Sequence, residues 1–301
     1  MNANVQACLE DVRRTLAYLT AVGHGGTATD VWQWLYRPTR CWTLIDVSEA
    51  LNSGEQSGLF EEYEARYVLS GHAHILRDMH ERTLWSEVKF RSVRWFLRYL
   101  RFVPGVCAVA VCNSLAFEMA ARTSDIDLFV ITRTRALWFV RFFALLPLRV
   151  LHRRPGYRTE HPICLSFFVT ECGLNFDRVH LTPEDPHMAH WLLSMIPMID
   201  DGAFSMFVAS NEWARELFPN AESPQMAWYR RLPRSRPWRW QPPAFLDAWL
   251  ERAQRRRLPL RIAQTMNQST DVIVNEHMLK FHTNDRRAEY RERFESFLHA
   301  V

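Results

Sequence analysis

Three short apolar runs, VCAVAVC (106–112), IDLFVIT (126–132) and ICLSFFVT (163–170), constrain the chain most strongly. Each reads as a buried β-strand and the segments between them read as helical, which predicts one mixed sheet covered by helices. The middle run carries a conflict. Asp125 and Asp127 stand at its start, and carboxylates seldom enter a strand that is otherwise apolar. Something must compensate them.

The 301 residues suffice for two or three domains. Hydrophobic residues make up 48%, with 12 Trp and 19 Phe, which allows a sizeable core and argues against global disorder. The net charge of +4 is unevenly spread. Ten arginines between 228 and 261 face only Asp247 and Glu251, a local +8 that leaves −4 for the rest. Such a segment implies contact with phosphates or an acidic surface, or else a solvated linker and helix. The six Cys are scattered without a CxxC pair, and Cys107, Cys112 and Cys164 lie in apolar runs. They read as reduced thiols of a cytoplasmic protein rather than metal ligands. Glu10 and Asp11 interrupt the start before any signal-peptide core. The most apolar stretch, 136–151, contains Arg141, Pro147 and Arg149 and falls short of the roughly 20 residues of a spanning helix. No transmembrane segment is expected. A core or amphipathic helix is expected there, with one-sided membrane contact as the lesser alternative.

Val5, Leu9, Val12, Leu16 and Leu19 fall on one helix face. A second short helix is expected around 30–36, capped by Thr29 or Asp30, and a third over 44–52. LFEEYE and RYVLSG then read as a hairpin. Three helices and a hairpin resemble the winged helix-turn-helix domains of DNA-binding regulators. Here the third helix carries Asp46 and Glu49 and the hairpin carries Glu61, Glu62 and Glu64, a surface that repels phosphates. Packing against protein is favoured over reading DNA. A long helical stretch (74–102) follows, stopped by Pro104 and Gly105. After about residue 220 a Pro-, Arg- and Trp-rich arm leads to a helix over 245–261 and a last helix beginning near Asn284. The expected organisation is an α+β chain: winged-helix-like domain (1–75), connecting helix (76–104), central mixed-sheet domain (105–220), and basic arm with C-terminal helices (221–301).

Residues i and i+2 of a strand project from one face, so Asp125 and Asp127 point together and repel unless a cation lies between them. Mg²⁺ commonly takes one or two carboxylates plus phosphate oxygens. Upstream, VCNSLA turns from strand into helix, and such a turn presents backbone N–H groups suited to phosphate.

The order Asn113-Ser114, some ten residues, then SDIDLFVIT resembles the Gly-Ser turn, helix and Asp-x-Asp strand of the nucleotidyltransferase superfamily of DNA polymerase beta. The wider layout, with DIDLF, a Leu-Trp helix, an ICL strand and a late LKFHTNDRR, is similar to bacterial nucleotidyltransferase-like proteins. The resemblance implies a nucleotidyltransferase-like central domain in which Asp125 and Asp127 ligate Mg²⁺. Asn113, Ser114 and Ser124 would contact the nucleotide, ATP or another nucleoside triphosphate. NMP would pass to an acceptor the sequence does not identify, whether protein, RNA or small molecule.

Two departures stand out. Asn113 replaces the Gly of the turn, and Asn tolerates the left-handed conformation. The family's third carboxylate is missing from ICLSFFVT, where Cys164, Ser166 and Phe168 are expected on one face and Leu165 and Phe167 on the other. Glu171 or Asp177 would have to stand in, with Glu171 taken as the catalytic candidate. The alternative is a catalytically degenerate fold that acts as a binding or regulatory module, including nucleic-acid binding through the arm (228–261), where Trp228, Trp238 and Trp240 would stack bases. The bland reading of the aspartates is a helix cap and a salt bridge to Arg. KFHTNDRR (280–287) reads either as an anion contact or as a helix start capped by Thr283 or Asn284, with solvated arginines. His187 and His190 are weak candidates for metal ligands.

Overall fold

The computed structural model describes residues 3–157, 159–222, 230, 232, 238, 240–282 and 285–299. The chain opens with α1 (Ala3–Ala21), α2 (Ala28–Gln33) and α3 (Leu44–Gln56), followed by the antiparallel hairpin β1 (Phe60–Tyr63) and β2 (Arg66–Leu69). Val12, Leu16 and Leu19 of α1 are buried, as their spacing requires. The cap of α2 is Thr27, ahead of the expected Thr29 or Asp30. Its side chain accepts from the Asp30 N–H while the Asp30 carboxylate accepts from the Thr27 N–H, and Thr43 and Asp46 repeat this reciprocal cap on α3.

Next come α4 (His74–Arg77), α5 (Met79–Leu100), β3 (Val106–Val111), α6 (Asn113–Ala116), β4 (Ile126–Thr132), α7 (Leu137–Val150) and β5 (Ile163–Thr170). The chain continues through α8 (Pro186–Ser194), β6 (Ile196–Asp200), α9 (Ala203–Ala209) and α10 (Trp213–Leu217). It ends with α11 (Ala244–Arg255), α12 (Leu260–Thr265), β7 (Val272–Val274), β8 (Met278–Phe281) and α13 (Arg287–His299). Six strands form one mixed sheet in the order β6-β3-β4-β5-β8-β7, and β4–β5 is the parallel pair.

The sheet is covered on both faces. Val109, Leu128, Val130 and Phe168 pack with α5, α7 and α11 on one side. Ala108, Phe129, Ile131 and Phe167 pack with α8 and α9 in a core that continues into α1 and α13. This two-sided burial explains why β3 reads as an unbroken apolar run. The expected mixed sheet with helical cover is present, but its limits differ. β7 and β8 come from beyond residue 270, β8 pairing with β5 and β7 with β8, so the sheet does not end at residue 220. The last segment is not a purely helical appendage. Of the basic arm, residues 223–229, including Trp228, lie outside the described residues, as do 231, 233–237 and 239. Arg230 is buried against Glu118 (2.6 Å) and Glu87 rather than offered to solvent. No helix among the described residues is long and apolar enough to cross a membrane.

Candidate functional site

The start of β4 sits beside the end of β3 and the start of β5. The Cys112 N–H donates to the Asp127 carbonyl at 3.1 Å. Asn113 then turns the chain in the left-handed region (φ 55°), the conformation that Asn accepts more readily than most residues. The helix it opens is only one turn long, so most of the residues between it and the SDIDLFVIT strand are not helical. Asn113 is pinned twice. Its Oδ1 accepts from the Trp191 indole N–H at 2.7 Å, and its amide donates to the Asp127 carboxylate.

Burial raises the Asp127 carboxyl above its usual range. Hydrogen bonds from Asn113 and the Cys164 thiol oppose that rise, and the Asp125 charge adds to it. Burial likewise raises Asp125, against the opposing charge of Lys89. The Asp125 charge thus acts on Asp127, but Asp125 lies just before β4 rather than within it and has a cation behind it. Lys89 is fully buried on α5, and its Nζ donates to the carbonyls of Ser124 (2.6 Å) and Arg122 (3.2 Å). Ser124 spends its own hydroxyl on the Ala121 carbonyl at 2.9 Å. The expected arginine partner of the pair is thus a lysine acting on the loop.

Glu171 does not complete this pair. Asp127 registers with Cys164 across the parallel strands. Glu171 lies seven residues further along, about 23 Å away at the rise of a strand. It is held there by Arg133 at 2.8 Å. Asp177 is exposed on a turn, bonded to Asn175 at 3.0 Å. The faces of β5 also differ from expectation. A register irregularity between Asp127 and Phe129 places Phe167 in the core beside α8, and Phe168 with Ile163 and Leu165 on the opposite face. The group adjacent to Asp127 on β5 is a thiol, kept protonated by burial and by the Asp127 charge.

Beside the turn opens a cavity of about 560 Å³, lined by Asn113, Ser114, Trp191, Lys280, His282 and residues of α13. His282 Nε2 is 2.8 Å from the Ser166 hydroxyl, and burial pushes its imidazole down to about 4. His24 and His187 also line the cavity, and the Nδ1 of each is buried without a hydrogen-bond partner among the described residues. Arg82, Lys280, Arg286, Arg287 and Arg293 line it against two carboxylates, Asp78 and Asp285. Arg287 is not solvated as expected but buried, at 2.8 Å from both Asp185 and Asp285. Thr283 and Asn284 lie outside the described residues. His190 is bonded to the Tyr18 hydroxyl at 2.9 Å. No cluster of three or more His, Cys, Asp or Glu suited to a metal ion occurs among the described residues.

Sequence reasoning missed Lys89 and Trp191, whereas His282 belongs to the KFHTNDRR segment already considered as an anion contact. A signal existed for the first. Lys89 and Lys280 are the only lysines beside 35 arginines, and both are buried at this site. A compact ammonium fits a cage of carbonyls that a planar guanidinium does not. Comparisons of the chain with protein families, curated proteins and solved structures return no match.

Proposed function

We infer that the chain binds a nucleoside triphosphate with Mg²⁺ at the head of β4, on a nucleotidyltransferase-like plan, without transferring the nucleotidyl group. The observation that carries this reading is the thiol of Cys164 registered beside Asp127, where the resemblance calls for a third carboxylate. Two carboxylates fit Mg²⁺ delivered on phosphate oxygens; a buried protonated thiol adds no hard ligand. Asp125 and Asp127 would hold the ion, and the ion would supply charge neutralisation to the phosphates. The adjoining cavity is of ligand size, and its five cations, held by Asp78, Asp185, Asp285 and Glu289, leave one positive charge in excess to suit an anion. Asn113 links the two, lining the cavity beside Ser114 and bonding to Asp127, although neither Asp125 nor Asp127 lines the cavity itself. The N-terminal helices and hairpin, read as winged-helix-like, serve as a packing module, since α1 shares its core with α8 and α13.

Equilibrium binding of each of the four ribonucleoside triphosphates with Mg²⁺, together with an α-label transfer assay in cell extract, tests this. The expected result is binding that Asp127→Ala abolishes, with no label transferred. Transfer by the wild-type chain that Asp127→Ala removes would establish an enzyme instead, and no binding of any triphosphate would end the nucleotide reading.

A further inference from the structure

Sixteen large hydrophobic side chains are exposed among the described residues, and twelve of them belong to α5, α7, α11, α12 and the segments next to them. Those helices form or extend the layer over one face of the sheet, so the exposed apolar surface is concentrated rather than scattered. Its densest part lies around residues 238–260. The Trp238 N–H donates to the Arg101 carbonyl at 2.8 Å, beside exposed Phe102. The Trp238 and Trp240 rings lie 6.0 Å apart. Phe245 (70% exposed) and Trp249 (62%) follow on one face of α11, and Leu260 (72%) opens α12. The same face of α11 continues into Arg252 and Arg256, which are exposed together with Arg257 and Arg261. None of these four makes an ion pair among the described residues, whereas their neighbour Arg255 is held by Glu251 at 2.7 Å.

We propose that this face docks on the surface of an anionic lipid bilayer, with Phe245, Trp249 and Leu260 entering the headgroup–acyl boundary and the four arginines meeting lipid phosphates. Aromatic and aliphatic side chains backed by arginines on a short amphipathic helix are what interfacial association requires. No helix among the described residues is both long and apolar enough to span, so the proposed contact is one-sided, with the chain lying on the bilayer. A single-stranded nucleic acid would use the tryptophans and arginines. It would leave Leu260 and the exposed Leu146 and Val150 of α7 without gain, because aliphatic side chains offer no stacking face.

The test is co-sedimentation of the full chain with vesicles of phosphatidylcholine alone and of equimolar phosphatidylcholine and phosphatidylglycerol. Quenching of tryptophan fluorescence by brominated lipid is read in parallel. Binding is expected only to the anionic vesicles. The double substitution Phe245→Ser, Trp249→Ser should weaken it by about tenfold or more and reduce the quenching, with an unchanged thermal transition because both side chains are already in solvent. Absence of binding to anionic vesicles overturns the proposal. Binding that is indifferent to the double substitution does so too, as does binding of a polyuridine oligonucleotide, in place of vesicles, that the double substitution abolishes.

Discussion

Burial keeps His187 and His282 neutral, each pushed down to about 4. An unfolded histidine titrates near 6.5. Below that pH the unfolded chain takes up protons that the folded chain refuses, so stability falls as pH drops. The contribution is complete above about pH 6.5 and lost progressively towards pH 4, at most about 3 kcal/mol for each histidine. Thermal melts across this window should show a falling transition temperature, and His187→Gln should flatten part of the fall. A transition temperature independent of pH would contradict the assignment. Asp11 makes a second prediction. Its buried carboxylate accepts from the Thr39 N–H (2.7 Å), the Thr39 hydroxyl (2.8 Å) and the Trp42 indole N–H (2.7 Å). Asp11→Ala leaves three donors without it and should cost about 3 kcal/mol in urea unfolding, with Asp11→Asn costing less. At this scale the sequence was informative where a residue offends its surroundings. Asp125 and Asp127 are visible because carboxylates sit badly in an apolar strand. Lys89 looks like one more cation on an arginine-rich helix until its buried position is known.

Among the elements, α7 tolerates Pro147 because help comes from outside the helix. Proline has no N–H for the Phe143 carbonyl one turn back, and the Tyr99 hydroxyl of α5 donates to that carbonyl instead at 2.9 Å. Tyr99→Phe should therefore cost about 1 kcal/mol through one unsatisfied, half-buried carbonyl. Denaturation is the measurement, and an unchanged midpoint would refute the bond. α11 in turn caps α7. Asp247 accepts from the Phe139 N–H at 2.7 Å, and Gln254 joins the Trp138 carbonyl (2.8 Å) to the Arg141 guanidinium (2.6 Å). The three central strands could be read because each is predominantly apolar. The outer strands β6, β8 and β7 could not: β6 carries Pro197, and β7 is three residues long. Their strand character comes from partners distant in sequence. Glu171 was misplaced for a related reason, since the direction in which β4 and β5 pair decides which ends meet, and no local pattern encodes that direction.

For the molecule as a whole, the last segment is part of the central body. β8 pairs with β5, Arg287 reaches Asp185 at 2.8 Å, and α13 shares a core with α1 through Phe294. Removing residues 271–301 should thus cost the chain its cooperative unfolding transition by circular dichroism, rather than shed an independent tail; a truncated chain that melts like the intact one would contradict this. The expected boundary at residue 220 missed this because a change in composition marks a change of surface, not of fold. The central claim concerns the head of β4, and calorimetric titration of the full chain with ATP, GTP, CTP and UTP, in Mg²⁺ and again in EDTA, probes it most directly. At least one triphosphate should bind in Mg²⁺, with affinity falling about tenfold or more both in EDTA and after Asp127→Asn. Binding that ignores the chelator and the substitution alike, or no binding of any of the four, would contradict the account.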